Sequence, residues 1–111
     1  MPYSIIIPIH NEEKSIPKLL YQLKDYSKHN EILIINDGSN DNSKILLENS
    51  HYISLYNIKN NSGKGAAIKI GLKIAKYNKI ILFDGDLELK TKDINKLMIL
   101  DYENDIDFVL G

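Results

Sequence analysis

No cysteine occurs among the 111 residues, which excludes disulfides, thiolate metal sites and cysteine nucleophiles together. A chain without thiol chemistry fits a reducing cytosol. No charge of one sign dominates either: 14 basic against 15 acidic side chains leave a formal net charge of −1. Such a chain has no bulk field to hold a nucleic-acid backbone, and nucleic acid is not an expected partner. The opening Met1-Pro2-Tyr3 lacks the basic start and longer apolar stretch of a secretory signal, so a cytoplasmic location is expected. Asn60-Asn61-Ser62 matches a glycosylation sequon, which has no consequence in that compartment. Long hydrophobic runs are missing too. Ile32-Leu33-Ile34-Ile35 and Ile80-Ile81-Leu82-Phe83 fall far short of the roughly 20 residues that span a bilayer. What is left is an ordinary globular composition, of a length to bury roughly two-thirds of its unfolded surface in one core.

The short apolar runs have the size of strands. Residues 3–8, 31–36, 52–58 and 79–84 are rich in β-branched side chains, and a fifth run covers 106–110. The first, second and fourth are nearly continuous Ile, Leu and Phe, as in strands covered on both faces of a parallel sheet. Between them, Ile16, Leu19, Leu20 and Leu23 repeat at helical spacing, with Ser15 as a cap and Pro17 in the first turn. Residues 41–49 predict a second, shorter helix carrying Ile45 and Leu46, capped from 39–41, and Ala67, Ile70, Gly71 and Ile74 a third. Thr91 precedes a fourth pattern of Ile94, Leu97 and Met98, with Asp93 near the positive end of its dipole. This alternation predicts one α/β domain, a mostly parallel, doubly wound sheet flanked by helices.

In such sheets the ligand crevice lies outside the carboxyl ends of the strands. The runs end in Pro8-Ile9-His10-Asn11-Glu12-Glu13, Asn36-Asp37-Gly38-Ser39, Asn60-Asn61-Ser62-Gly63-Lys64-Gly65 and Asp84-Gly85-Asp86-Leu87-Glu88. These segments concentrate carboxylates, amides and four of the six glycines, and the connections at the other rim show no such bias. Asp84, Asp86 and Glu88 offer carboxylates at every second position, a set suited to a hard divalent cation such as Mg²⁺ or Mn²⁺. An acidic solvated turn is the alternative for the same residues. An EF-hand is excluded because Leu89 and Asn95 stand where its Gly and Glu belong. Gly63 and Lys64 open the third helix, so a phosphate could meet its backbone amides, or the glycines could form only a tight turn. A P-loop is excluded by Ile58 and Gly65, and the dinucleotide fingerprint breaks at Ile68. His10 has no partner pattern for metal or nucleophilic work, His29 and His51 fall at the opposite rim, and no Ser-His-Asp arrangement is visible.

The four segments, in this order and at these separations, resemble glycosyltransferase family 2 along the whole chain. Residues 4–13 are similar to its opening strand, 34–41 to its Asp-Asp-Gly-Ser-x-Asp segment, 60–71 to its Asn-x-Gly-Lys-Gly-Ala-Ala segment, and 84–88 to its Asp-x-Asp metal motif. Within the family the likeness is to dolichyl-phosphate and other polyprenyl-phosphate sugar transferases. The resemblance implies a GT-A, Rossmann-like fold, truncated to the donor-binding half. It implies transfer of sugar from a UDP- or GDP-linked donor, with inversion, to a polyprenyl phosphate or a glycan at the cytoplasmic face of a membrane. Pro8, His10, Asn11, Glu12, Asp37, Gly63, Lys64, Asp84, Gly85 and Asp86 would meet the donor, and Asp84, Asp86 and Glu88 the metal. His10 departs from the family's Tyr, Asn36 from its first Asp, and Glu88 from the Gln of the polyprenyl-phosphate group. Members carry the catalytic base beyond the position of Gly111, so an alternative is a non-catalytic nucleotide-sugar-binding module that acts through a partner. A sheet ending at the last run would leave an edge open to self-association.

Overall fold

A computed structural model describes residues 2–83 and the short strand at 99–101. Strand β1 (Ser4–Ile9) is followed by helix α1 (Ile16–Leu23), β2 (Glu31–Asp37), α2 (Ser43–Glu48), β3 (Ser54–Ile58), α3 (Lys64–Ile74), β4 (Lys79–Leu82) and β5 (Ile99–Asp101). The sheet order is β3-β2-β1-β4-β5. The pairs among β1 to β4 are parallel, and β5 runs antiparallel to β4. The expected fourth helix and the run at 106–110 lie outside the described residues, and β5 had no counterpart in the apolar pattern.

The order explains the two faces. β1, β2 and β3 step outward in one direction, whereas the connection from β3 to β4 crosses back over the sheet. With right-handed crossovers, that reversal carries α3 to the face opposite α1 and α2. Side chains of a strand alternate between faces, so the continuous isoleucine runs divide. Ile5, Ile7, Ile9, Ile32, Ile34, Ile81 and Phe83 pack with Ile16, Leu19, Leu23 and Leu47. Ile6, Leu33, Ile35 and Ile80 pack with Ala67. All six residues of β1 are buried, whereas β3, at the sheet edge, has no buried residue and only Leu55 and Ile58 half-buried.

Two helix-phase expectations are corrected. α2 begins at Ser43, which puts Ser43 and Leu47 on the inner face one turn apart. Ile45 is therefore 58% exposed, and only Leu46 of the expected pair packs against the core. In α3, Ala67 and Gly71 face inward as expected and Ile70 packs at the margin of the core, but the fourth inward position is Ile68, and Ile74 is 43% exposed. Ser15 occupies the N-cap of α1 without a side-chain cap bond. The carbonyl of Glu12 instead accepts the amides of Ser15 and Ile16, at 3.0 and 3.1 Å.

Gly71 sets how closely α3 approaches the sheet. A Cβ there would stand 2.6 Å from Ile6 Cγ2, a branch methyl in the middle of the core. Gly71→Ala is expected to cost about 1–3 kcal/mol through overpacking, read as a lower midpoint in urea unfolding with an unchanged slope.

Candidate functional site

Because β1 to β4 are parallel, their carboxyl ends share one rim, and the loops after β1, β2 and β3 meet there. Asp37, the last residue of β2, is 3% exposed and its carboxylate holds the loop that follows β3. Oδ1 accepts the Ser62 amide at 2.8 Å and the Ser62 hydroxyl at 2.9 Å, and Oδ2 accepts the Gly63 amide at 2.9 Å. A buried carboxylate needs such donors to replace the water it has lost. The same residue's carbonyl oxygen lies 2.8 Å from His10 Nδ1. A carbonyl can only accept, so Nδ1 carries the proton and donates. One residue thus ties the loops after β1 and β3 to the end of β2.

Two glycines make this geometry accessible. Gly38 has φ +66°, and a Cβ on it would meet the backbone of Asn61 at 2.4 Å. Gly63 has φ +95° and ψ 155°, a region left essentially to glycine, and this conformation aims its amide at Asp37 as α3 begins.

A second set of bonds latches the β1–α1 loop to the β2–α2 loop. Asn11, at φ 53°, donates its amide to Ser39 Oγ at 3.0 Å, and its Oδ1 accepts the Asn40 amide at 2.7 Å. The Glu12 amide donates to Ser43 Oγ at 3.0 Å, and the Glu13 amide to Asp41 Oδ2 at 3.3 Å. Ser39 donates to Asn36 Oδ1, and Asn36 Nδ2 to Asn57 Oδ1 at 2.9 Å. Of the residues expected to cap α2, Asp41 stands just before the N-cap Asn42 and accepts the Ser43 amide at 2.9 Å, while Ser39 serves the latch.

Partial burial raises the Asp41 carboxyl, but hydrogen bonds from the Ser43 hydroxyl and from the Ser43 and Glu13 amides outweigh it and hold it below its ordinary value of 3.8. A carboxyl depressed on folding contributes stability above its ordinary value and loses it as pH falls toward the folded value. The melting temperature of Asp41→Asn is therefore expected to lie below wild type at neutral pH. The gap should close as pH drops below 3.8, which thermal melts across pH 2–7 would show.

The strand order reverses between β1 and β4, and that switch point is where open α/β sheets bind ligands. β4 pairs with β1 at Ser4, Ile5 and Ile6, and the Phe83 amide donates to the Ile6 carbonyl at 3.0 Å. By the two-residue alternation of a strand, Pro8 turns its backbone to that same side, just past the paired stretch. A residue without an N–H is tolerated there because, among the described residues, it lies past the last position paired to β4. The expected donor residues Pro8, His10, Asn11, Glu12, Asp37, Gly63 and Lys64 all fall on this rim, Lys64 as the first residue of α3. Hydrogen bonds join His10, Asp37 and Gly63 directly, and Asn11 Nδ2 stands 3.3 Å from His10 Nε2. Asp84, Gly85, Asp86 and Glu88 lie outside the described residues. Among the described residues, no three His, Cys, Asp or Glu side chains gather as a metal site, and no helix is long and apolar enough to cross a membrane.

A cavity of about 320 Å³ opens on this rim between Asn36, Gly38, Ser39, Lys44, Asn57, Ile58 and Lys59. A larger one, about 710 Å³, opens at the opposite rim. There Glu31 Oε1 accepts the Ser4 hydroxyl at 2.6 Å and the Lys76 amide at 2.8 Å. That cavity faces the amino ends of the strands, whereas ligands of open α/β sheets bind at the carboxyl ends, so its size does not make it the ligand crevice. Outside the donor residues expected from the sequence, the structure adds Asn61, Ser62, Ser39 and Asn57 to the network on this rim. Asn61 and Ser62 carried a usable signal, as polar side chains directly before the glycine that opens α3.

Comparison with known proteins agrees with this architecture. The model of the family described as Glycosyl transferase family 2 matches residues 4–111. Among solved structures, S. aureus TarS 1-349 in complex with UDP is 26% identical with a TM-score of 0.69, over 86% of this chain and 31% of that one. A second structure of S. aureus TarS 1-349 is 27% identical with a TM-score of 0.68, over 78% and 28%. The mannosyltransferase PcManGT from Pyrobaculum calidifontis, in complex with GDP-Man and Mn²⁺, shares the fold at 20% identity and a TM-score of 0.67, over 76% and 27%. The chain thus spans about a third or less of the length of these relatives. It belongs to glycosyl transferase family 2 and has the GT-A, Rossmann-like fold.

Proposed function

We propose that this glycosyl transferase family 2 chain binds a nucleotide-diphosphate sugar at the carboxyl-end rim and serves transfer of that sugar, with inversion, to an acceptor. The observation that carries the reading is the Asp37 carboxylate, which holds the Ser62-Gly63 turn at the start of α3 beside the switch point. That turn brings a glycine-rich backbone and Lys64 to the rim, where a diphosphate can meet them. UDP in the TarS structure and GDP-Man in the PcManGT structure support a nucleotide-linked donor. They leave open two probes, UDP and GDP.

The donor set fits a divalent cation. Asp84 follows Phe83, whose amide is bonded to β1, so Asp84, Asp86 and Glu88 continue the chain from the switch point, and all three offer hard oxygen ligands. They would hold Mg²⁺ or Mn²⁺, which when bound supplies positive charge to the diphosphate as it leaves. The Mn²⁺ of PcManGT supports the choice of metal. This chain's own residues bind and orient the donor; a glycan hydroxyl would need a general base to take its proton, whereas the oxygen of a polyprenyl phosphate is already ionised and would not. The acceptor class we assign is a polyprenyl phosphate or a glycan.

Calorimetric titration with UDP and GDP, with and without Mn²⁺, tests this reading. Metal-stimulated binding of one nucleotide is expected, and binding of neither would refute it. Asp86→Ala is expected to remove the metal stimulation while leaving the melting temperature within a few degrees. Full metal-stimulated binding by that variant would refute the ligand assignment.

A further inference from the structure

Asn61 stands in an arrangement that the anchoring of its loop does not require. Its Oδ1 accepts the Gly63 amide at 3.1 Å, which sets the orientation of the side-chain amide: oxygen toward Gly63, nitrogen toward His10. The nitrogen lies 3.2 Å from His10 Nδ1 and 3.0 Å from Nε2. Near-equal distances to two nitrogens that flank Cε1 can be met only over the ring. In the ring plane the same distances would drive the amide into Cε1. Asn61 therefore presents its N–H to one face of the imidazole, a donor-to-π contact. Nδ1 is tied in the plane to the Asp37 carbonyl, and the Asn11 amide nitrogen stands beside Nε2 at 3.3 Å. The ring is held at its edge and on one face, yet His10 remains exposed.

We propose that Asn61 is a positioning residue for the donor site: it backs the His10 imidazole so that the opposite ring face is fixed toward a planar base of the bound nucleotide. The inference rests on the nucleotide reading above. Stacking of a base on an aromatic ring depends on the ring's plane being set before the ligand arrives, because a ring free to rotate gives up that freedom on binding. Asn61 acts on the base through His10, and its bond to the Gly63 amide is the loop anchor that the test leaves in place.

Asn61→Asp keeps the side-chain shape and an oxygen for the Gly63 amide while removing the N–H over the ring, and the negative charge it adds acts on the nucleotide whether or not His10 is present, so a His10→Ala background subtracts that charge. In the full chain, affinity for whichever of UDP or GDP binds is expected to fall roughly tenfold, within the coupling range of contacting side chains. The loss should be markedly smaller in a His10→Ala background, where only the added charge acts. An equal loss in both backgrounds, or no loss in either, would overturn the inference. A second readout needs no ligand: the ring-proton NMR resonances of His10 should shift in Asn61→Asp while the amide spectrum of the sheet is retained, and unshifted ring protons would overturn it as well. Failure of the wild type to bind either nucleotide is a different result, which refutes the donor reading and this inference with it.

Discussion

Gly38→Ala is expected to lower stability by about 3 kcal/mol or more and to abolish nucleotide binding. Two independent costs combine. The left-handed conformation at φ +66° disfavours a Cβ by about 1–2 kcal/mol. The new Cβ would also stand 2.4 Å from the Asn61 nitrogen and 2.8 Å from the Asn60 carbonyl carbon, and backbone cannot swing aside as a flexible side chain can. Relief requires the loop after β3 to move away from β2, which breaks the bonds of Ser62 and Gly63 to Asp37. At about 4 °C or more per kcal/mol for a domain of this size, the melting temperature should drop by more than about 10 °C. A variant that melts with wild type and still binds would show that the loop is not seated against Gly38.

Asp37→Asn is expected to cost about 2–4 kcal/mol, although it changes a single atom. Both carboxylate oxygens accept, from the Ser62 amide and hydroxyl on one side and from the Gly63 amide on the other. An asparagine can offer only one oxygen, so its NH₂ must confront a donor wherever it is placed. The loss is a pair of charge-assisted bonds together with an unsatisfied buried group. Nucleotide affinity should fall more than stability accounts for, because the freed turn is the one assigned to the diphosphate. Equal melting temperatures for variant and wild type would sink this account of Asp37. An intact fold with unchanged affinity for UDP and GDP would remove Asp37 from the donor site.

Much of the architecture was legible because it follows from periodicity. Continuous Ile and Leu runs separated by helical spacing leave few alternatives to a sheet covered on both faces, and Ile5 to Ile9 and Ile32 to Ile35 are buried as that pattern requires. Helix phase was less legible. Ile45 is as apolar as Leu47, and which of them faces inward depends on where the helix starts, a choice made by the Asp41 bond to the Ser43 amide. The donor residues could be placed at strand ends, but their mutual contacts could not. His10 and Asn61 are 51 residues apart, and Asp37 and Ser62 25 apart, and no local pattern marks such pairs.

The amino-acid sequence by itself determined the α/β class, the family, and the rim on which the polar segments fall, because those depend on local spacing and on the order of motifs. Tertiary structure alone decided what the residues do to one another. It turned Asp37 from a free carboxylate at a strand end into the acceptor that fixes the next loop, made Gly38 irreplaceable through a backbone brought from the following strand, and placed the Asn61 amide on the His10 ring. The physical reason is common to all three: hydrogen bonds and steric contacts act over a few ångströms in space, and only the folded sheet brings the ends of β1, β2 and β3 within that reach.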